Sequence, residues 1–309
     1  MYGDVLEGLL KDFTAFLSLE RSLSDNSIAA YTADVRKFFD YLEKNTTITA
    51  IAGIDSVVAE AFLLHLNDLG IAANSQARTL SGLKTFYKFL LVEELIANNP
   101  LQLVETPRLQ RKIPEVLSVA EIEAIFKAID HSTPEGMRNR AIVEVLYGSG
   151  LRVSELINIQ LSNLFLDIGF IRIIGKGNKE RLAPINPSAI QQVKWYCSTI
   201  RPQMPIQKDS TDILFLNRRG HGLTRVMVFY IVREAARAAG ITKTVSPHAF
   251  RHSFATHLYD GGADLRAIQA LLGHESITTT EIYTKVDSQY LRDTVLRFHP
   301  RSQYHIPRR

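Results

Sequence analysis

The stretch Ser246-Pro-His-Ala-Phe-Arg-His-Ser-Phe-Ala-Thr-His257 constrains this chain more than any other of its length. Ser246 has the hydroxyl of an N-cap, and Pro247 suits the first helical position, where a missing N–H costs nothing. A helix is therefore predicted from Pro247. His248 and Arg251 fall three residues apart on its opening turns, which sets their Cβ atoms about 5–6 Å apart. Phe250, Phe254 and Leu258 repeat at i, i+4 and i+8 and mark the buried stripe. Farther on, Leu271-Leu-Gly-His274 sets a histidine just past a glycine helix stop, and Tyr283 closes the run. Two imidazoles, a guanidinium and a phenol are an inventory suited to a phosphate and a nucleophile.

The surrounding chain gives such a site somewhere to sit. Its 309 residues have room for about two domains. A hydrophobic fraction of 46% and a charged fraction of 22% are those of an ordinary globular protein. The single cysteine, Cys197, excludes a disulfide framework and a cysteine-based zinc site, and it fits a reducing cytosol. The acidic start lacks the basic and apolar regions of a signal peptide, and no uncharged apolar run reaches the ~18 residues of a membrane span. A cytoplasmic location with no membrane partner is expected. The net charge of +4 conceals an asymmetry: residues 1–107 hold 8 Lys and Arg against 14 Asp and Glu, and residues 108–309 hold 28 against 18. A basic second half suits a polyanionic partner.

Residues 1–107 read as helices throughout. Val5, Leu6, Leu9, Leu10, Phe13, Phe16 and Leu17 keep a helical period, and further helices are predicted near 27–43, 56–69 and 75–93. On the last, Arg78, Ser81, Lys84, Thr85 and Lys88 share a face opposite Leu80, Leu83, Tyr87 and Leu91. A solvated face is the plainer reading of such a run, and Arg78, Lys84 and Lys88 are the candidate DNA contacts. Residues 1–107 are thus expected to form an N-terminal helical DNA-binding domain. Residues 108–114, with three basic side chains and Pro114, read as a basic linker.

In residues 115–309, Ser118-Val-Ala-Glu121 is a capping box. A helix near 138–147 is broken by Gly148-Ser-Gly150, and Arg152 opens the next one with Glu155 three residues on. Phe170–Ile174 and Glu180–Ile185 flank Gly175-Lys-Gly-Asn-Lys179 and predict a hairpin with Lys176 at its turn. Helices near 187–199, 224–239 and 288–298 complete a mainly α chain with one small antiparallel β-hairpin or sheet. Taken singly, these residues have plain explanations: Arg152 as Glu155's ion-pair partner, Lys176 as an exposed turn lysine. His248 and His252 have the i, i+4 spacing of metal ligands, but neither H-E-x-x-H nor an Asp-rich cluster accompanies them. No metal and no cofactor are expected.

Taken together and in order, Tyr147–Leu156, Gly175–Arg181, Ser246–His257, Leu271–His274 and Ile282–Thr284 resemble the motifs of the tyrosine recombinases, the phage integrase family. Gly262–Leu265 is similar to the Xer branch, and Arg297-Phe-His-Pro-Arg301 is more XerD-like than XerC-like. The resemblance covers nearly the whole chain. It implies a core-binding, SAM-like helical domain ahead of a catalytic domain at 115–309. It implies that Tyr283 attacks a DNA phosphate to give a 3′-phosphotyrosine and a free 5′-hydroxyl, so that strands rejoin without ATP. Arg152, Arg251 and His274 would hold the phosphate oxygens, Lys176 protonate the leaving oxygen, His248 orient or deprotonate the phenol, and Glu155 buttress Arg152. The implied partners are a double-stranded recombination site, a second Xer-type recombinase in a homo- or hetero-tetramer passing through a Holliday junction, and a DNA-translocase activator. The implied task is chromosome-dimer resolution. A mobile-element integrase, a topoisomerase-like enzyme or a non-catalytic DNA-binding protein are the alternatives. The apolar face of the last helix, with Leu291 and Val295, is expected either to dock on a neighbouring protomer or to pack on its own domain.

Overall fold

Two units form, residues 1–112 and 113–309, each around its own apolar core. The computed structural model describes residues 3–21, 23–48, 50–106, 115–175, 180–273 and 285–305.

In the first unit, α1 (Gly3–Leu19), α2 (Asp25–Asn45), α3 (Ser56–Asp68) and α4 (Ala73–Val92) form a bundle. Ser24 caps α2 and Asp55 caps α3, each accepting from a backbone N–H three residues on. The core is phenylalanine-rich, with Phe13 meeting Phe86 edge-on at 5.2 Å and Phe38 meeting Phe62 at 5.0 Å. The polar stripe of α4 is partly engaged within this unit. Arg78 forks onto the buried Asp34 of α2 at 2.5 and 2.9 Å, and Thr79 Oγ1 donates to the same carboxylate. Lys84 Nζ donates to Val104 O at 2.7 Å, whereas Lys88 is exposed. Leu91 is exposed rather than buried. The core face of α4 ends at Leu90, and the next residue lies about 100° around the helix from it.

The second unit is built on α6 (Pro134–Ser149), whose side chains from Ala141 to Tyr147 are all fully buried. A helix buried all round is a central helix. It begins four residues earlier than its apolar period suggests, because Thr133 caps it through Gly136 N and Pro134 takes the first position. Against it pack α5 (Val119–Ala128), α8 (Pro187–Trp195), α9 (Arg225–Ala238) and α10 (Pro247–Asp260). The hairpin gains a third strand: β1 (Leu164–Phe165), β2 (Phe170–Ile174) and β3 (Glu180–Pro184) form an antiparallel sheet in chain order. Its register sets Leu164 opposite Ile171 and Ile173 opposite Arg181. The chain is therefore mainly helical with one small antiparallel sheet among the described residues, the expected class.

After α11 (Leu265–Leu272), α12 (Lys285–Phe298) buries Leu291 and Val295 in this unit's own core. Packing on its own domain is thus the arrangement observed for that face. Just after α12, His299 and Ser302 are buried as well. His299 is fully buried, with Nε2 3.2 Å from Tyr147 O, which can only accept, and Nδ1 3.2 Å from Arg301 N, which can only donate. Asn186 Nδ2 also donates to Nδ1, at 3.3 Å. These partners fix the neutral Nε2–H tautomer.

Burial pushes the His299 pKa down to about 3. The unfolded chain takes up this proton near pH 6.5, whereas the folded chain refuses it until about pH 3. This contribution is complete well above pH 6.5 and is lost as pH falls through it, approaching about 1.4 kcal/mol per pH unit between about pH 5.5 and 4. Between pH 6.5 and 4.5, urea unfolding should show a loss of about 2 kcal/mol that His299→Asn removes. An equal pH slope in that variant would assign the loss to other groups.

Candidate active site

The site begins where α6 stops. Gly150 has φ +60°, and a Cβ there would lie 2.4 Å from Phe254 Cδ1. Only glycine both turns the chain and lets the end of α6 press against α10. The turn delivers Arg152 to the start of α7 (Val153–Ile157). Glu155 Oε2 accepts from Arg152 N at 2.7 Å, and Oε1 accepts from Arg152 Nη1 at 3.1 Å. The Arg152 side chain stays 45% exposed, so its fork can still meet an anion.

Arg251 approaches from α10 and is buried. Its Nη1 donates to Gly150 O at 2.7 Å and its Nη2 to Leu272 O at 2.6 Å. Burial first, then the neighbouring Arg152, pulls its pKa down to about 10, which leaves it cationic at neutral pH. Arg152 Nη2 donates to the next carbonyl, Gly273 O, at 3.3 Å. The preceding one, Leu271 O, accepts from Arg181 Nη1 of β3 at 3.2 Å. Three consecutive carbonyls at the end of α11 therefore each receive an arginine. The last turn of a helix leaves its carbonyls without backbone partners and favours cations, so the grip is doubly complementary. Gly273 has φ +63°, and a Cβ there would meet Arg181 Nε at 2.8 Å.

Arg181 Nη2 also donates to Glu155 Oε2 at 3.0 Å. Burial pushes the Glu155 pKa up, but Arg181, the Arg152 N–H and the Arg152 guanidinium together hold it below the usual carboxylate value. Glu155 is therefore a carboxylate shared by two arginines. His248 is exposed on the first turn of α10 and lines a cavity of about 370 Å³ with Val153, Phe229 and Tyr230. The α10 helix is backed by the Tyr147 hydroxyl, 2.8 Å from His257 Nδ1.

Of the expected site, Arg152 and Glu155 bond each other, Arg251 meets Arg152 through the adjacent carbonyls of Leu272 and Gly273, and His248 is the second residue of α10, lining the same cavity as Val153 of α7. Lys176, His274 and Tyr283 lie outside the described residues. The arginine grip ends at Gly273, the residue before His274. Arg181 is legible in the sequence only as part of a motif, with no role of its own; an arginine on the strand that follows the turn is the one signal that marks it. Among the described residues no group of three His, Cys, Asp or Glu could hold a metal, and no helix is long and apolar enough to cross a membrane.

The phage integrase family model matches residues 115–290, and the model of the phage integrase N-terminal SAM-like domain matches residues 10–94. The tyrosine recombinase XerD of Staphylococcus epidermidis is 40% identical over 294 residues, covering 95% of this chain and 99% of that protein. The XerD of Staphylococcus saprophyticus is 41% identical over 297 residues, covering 96% and 100%. Among solved structures, the XerH site-specific recombinase bound to palindromic difH substrate in a post-cleavage complex is similar with a TM-score of 0.70 and 26% identity, over 89% of this chain and 81% of that one. With both parts of the chain matched and relatives aligned almost end to end, this protein belongs to the phage integrase family of tyrosine recombinases, the site-specific DNA strand transferases.

Proposed function

We propose that this recombinase cuts and rejoins DNA through a 3′-phosphotyrosine on Tyr283 and exchanges strands by way of a Holliday junction. The observation that carries the reading is the convergence of Arg152 and Arg251, from elements far apart in the chain, on the adjacent carbonyls of Gly273 and Leu272. Displacement at a phosphodiester concentrates charge on the non-bridging oxygens, and fixed guanidinium forks are suited to hold it. Arg152 is open enough to receive the phosphate, and the buried Arg251 acts in a lower dielectric where its charge counts for more. His274 follows the grip in sequence and adds a donor to the same oxygens. A tyrosine phenol ordinarily ionises only near pH ~10, so Tyr283 needs orientation or a base, and His248 is the imidazole available. The Tyr283 oxygen bonds to phosphorus, losing its proton to His248 or to solvent, as the bond to the 5′-oxygen breaks, and Lys176 gives that 5′-oxygen its proton. One ester replaces another, so no ATP is required.

In the same reading, residues 1–107 form the core-binding DNA domain, 108–114 the basic linker and 115–309 the catalytic domain. Lys88 is the freest of the α4 candidates to touch phosphate, and Arg78 and Lys84 would contact DNA while bonded within the bundle. The likeness to XerD supports a tetramer on DNA with a second Xer-type recombinase, a DNA-translocase activator, and chromosome-dimer resolution in the cytoplasm.

The test is covalent. Full-length protein is incubated with a nicked suicide duplex carrying a site selected by binding from random duplexes. A denaturation-resistant adduct should form with and without EDTA, and mass spectrometry should find the nucleotide on Tyr283. Site binding without an adduct, or an adduct on another residue, overturns the proposal.

A further inference from the structure

We infer that Arg181 is a positioning residue for the phosphate clamp: it shares the charge of Glu155, so that Arg152 keeps its own for the scissile phosphate, and it holds the end of α11 in place. The inference rests on the clamp role given to Arg152 above.

The geometry is specific. Glu155 has two oxygens and three donors: Arg152 Nη1 on Oε1, and Arg152 N and Arg181 Nη2 on Oε2. The side chains of Glu155 and Arg181 are only 7% and 13% exposed, so water screens their pairing little, while Arg152 reaches solvent. Counting formal charges, Arg152, Arg181 and Arg251 against Glu155 leave a net charge of +2. A phosphodiester under attack develops a second negative charge, and a +2 site matches it. Without Arg181 the same site carries +1, and Glu155 is left to Arg152 alone. The second Arg181 bond, to Leu271 O, ties β3 to the carbonyl row that Arg251 and Arg152 continue. Gly273 completes the fit, since a side chain there would occupy the place of Arg181 Nε. A cap on α11 with no part in the clamp would explain the Leu271 bond but has no need of the Glu155 contact.

Adduct formation is measured under single-turnover conditions for the full-length wild type, Arg181→Lys, Arg181→Met, and Arg181→Met combined with Glu155→Gln. Two substrates are used, the natural phosphate and a methylphosphonate at the scissile position, which lacks one non-bridging charge. Arg181→Met should slow adduct formation on phosphate by about 30-fold, less than the ~10²–10³ lost with a donor that touches the reacting oxygens, with site affinity unchanged. Arg181→Lys should lose less. The double variant restores +2 and should recover most of the rate, and on methylphosphonate the Arg181→Met deficit should shrink to a few-fold.

A double variant slower than the single one, or an equal deficit on both substrates, assigns Arg181 to the fold alone and overturns the inference. If Arg181→Met does not fold, Arg181→Lys carries the same comparison of substrates. Thermal melts in inorganic phosphate separate this inference from the catalytic reading. Should the wild type form no adduct, the half-saturating phosphate concentration should still rise in Arg181→Met and return in the double variant. No such change would overturn the inference on its own.

Discussion

Arg251→Lys should lower the single-turnover rate of adduct formation by about 10³-fold, while site affinity changes less than about tenfold. Lysine keeps the charge and loses the fork. In the recombinase the two Nη groups of Arg251 are fixed by Gly150 O and Leu272 O, which aims the guanidinium from a buried position. An ammonium can satisfy only one of those carbonyls in that direction. The effect on rate follows from what a preorganised donor contributes when charge develops on a phosphate, about 10²–10³ for one donor and more for an arginine fork. The other carbonyl, left buried without a donor, costs about 1–3 kcal/mol of stability. Cleavage and binding assays on the same duplex check the first expectation, and thermal melts check the second. Equal losses in binding and cleavage would make Arg251 an anchor for the duplex rather than a transition-state group.

Arg301→Ala should destabilise the second unit by about 3–5 kcal/mol, the usual cost of removing one partner from a buried ion pair. Arg301 donates through Nε and Nη2 to the fully buried Glu144 at 3.1 and 2.6 Å and also pairs with Glu123. Arg140 bonds the same Glu144 at 3.1 Å, and both guanidiniums lie 4.3 Å from the Phe126 ring centroid. Burial pushes the Glu144 pKa up, and the two arginines oppose it. With Arg301 gone, Arg140 alone must hold a charge inside the core. For a unit of this size the loss corresponds to a fall in melting temperature of about 10 °C. Replacing Glu144 and Arg301 together by Met should cost less than Arg301→Ala, because no buried charge is then left half-compensated. A variant melting within about 2 °C of the wild type would show that the cluster is not what holds the segment after α12.

What could be read before the structure was local. Ser246 and Pro247 announce α10, and Ser118 with Glu121 announces α5, because caps act over three or four residues. The two-residue strand β1 carries no period to detect, and Thr133-Pro134 at the head of α6 was hidden by an apolar pattern that starts later. Arg78 looks like a free cation in the sequence because its partner, Asp34, is 44 positions away. Arg181 is hidden for the same reason, with partners 26 and 90 positions distant. A residue's type and spacing reveal the chemistry it can do. Whether it is committed to another residue depends on contacts that chain order does not show.

The unequal exposure of Arg152 and Arg251 has a consequence for how ionic strength acts on the recombinase. At physiological salt, exposed charges farther apart than about 8 Å are largely screened, and buried ones much less so. Arg152, at 45% exposure, belongs to the screened population; Arg251, at 5%, does not. Salt is therefore expected to act on the arrival and retention of a duplex. In the reaction proposed for Tyr283, a phosphate seated against Arg251 would lie where the solution outside has little further hold.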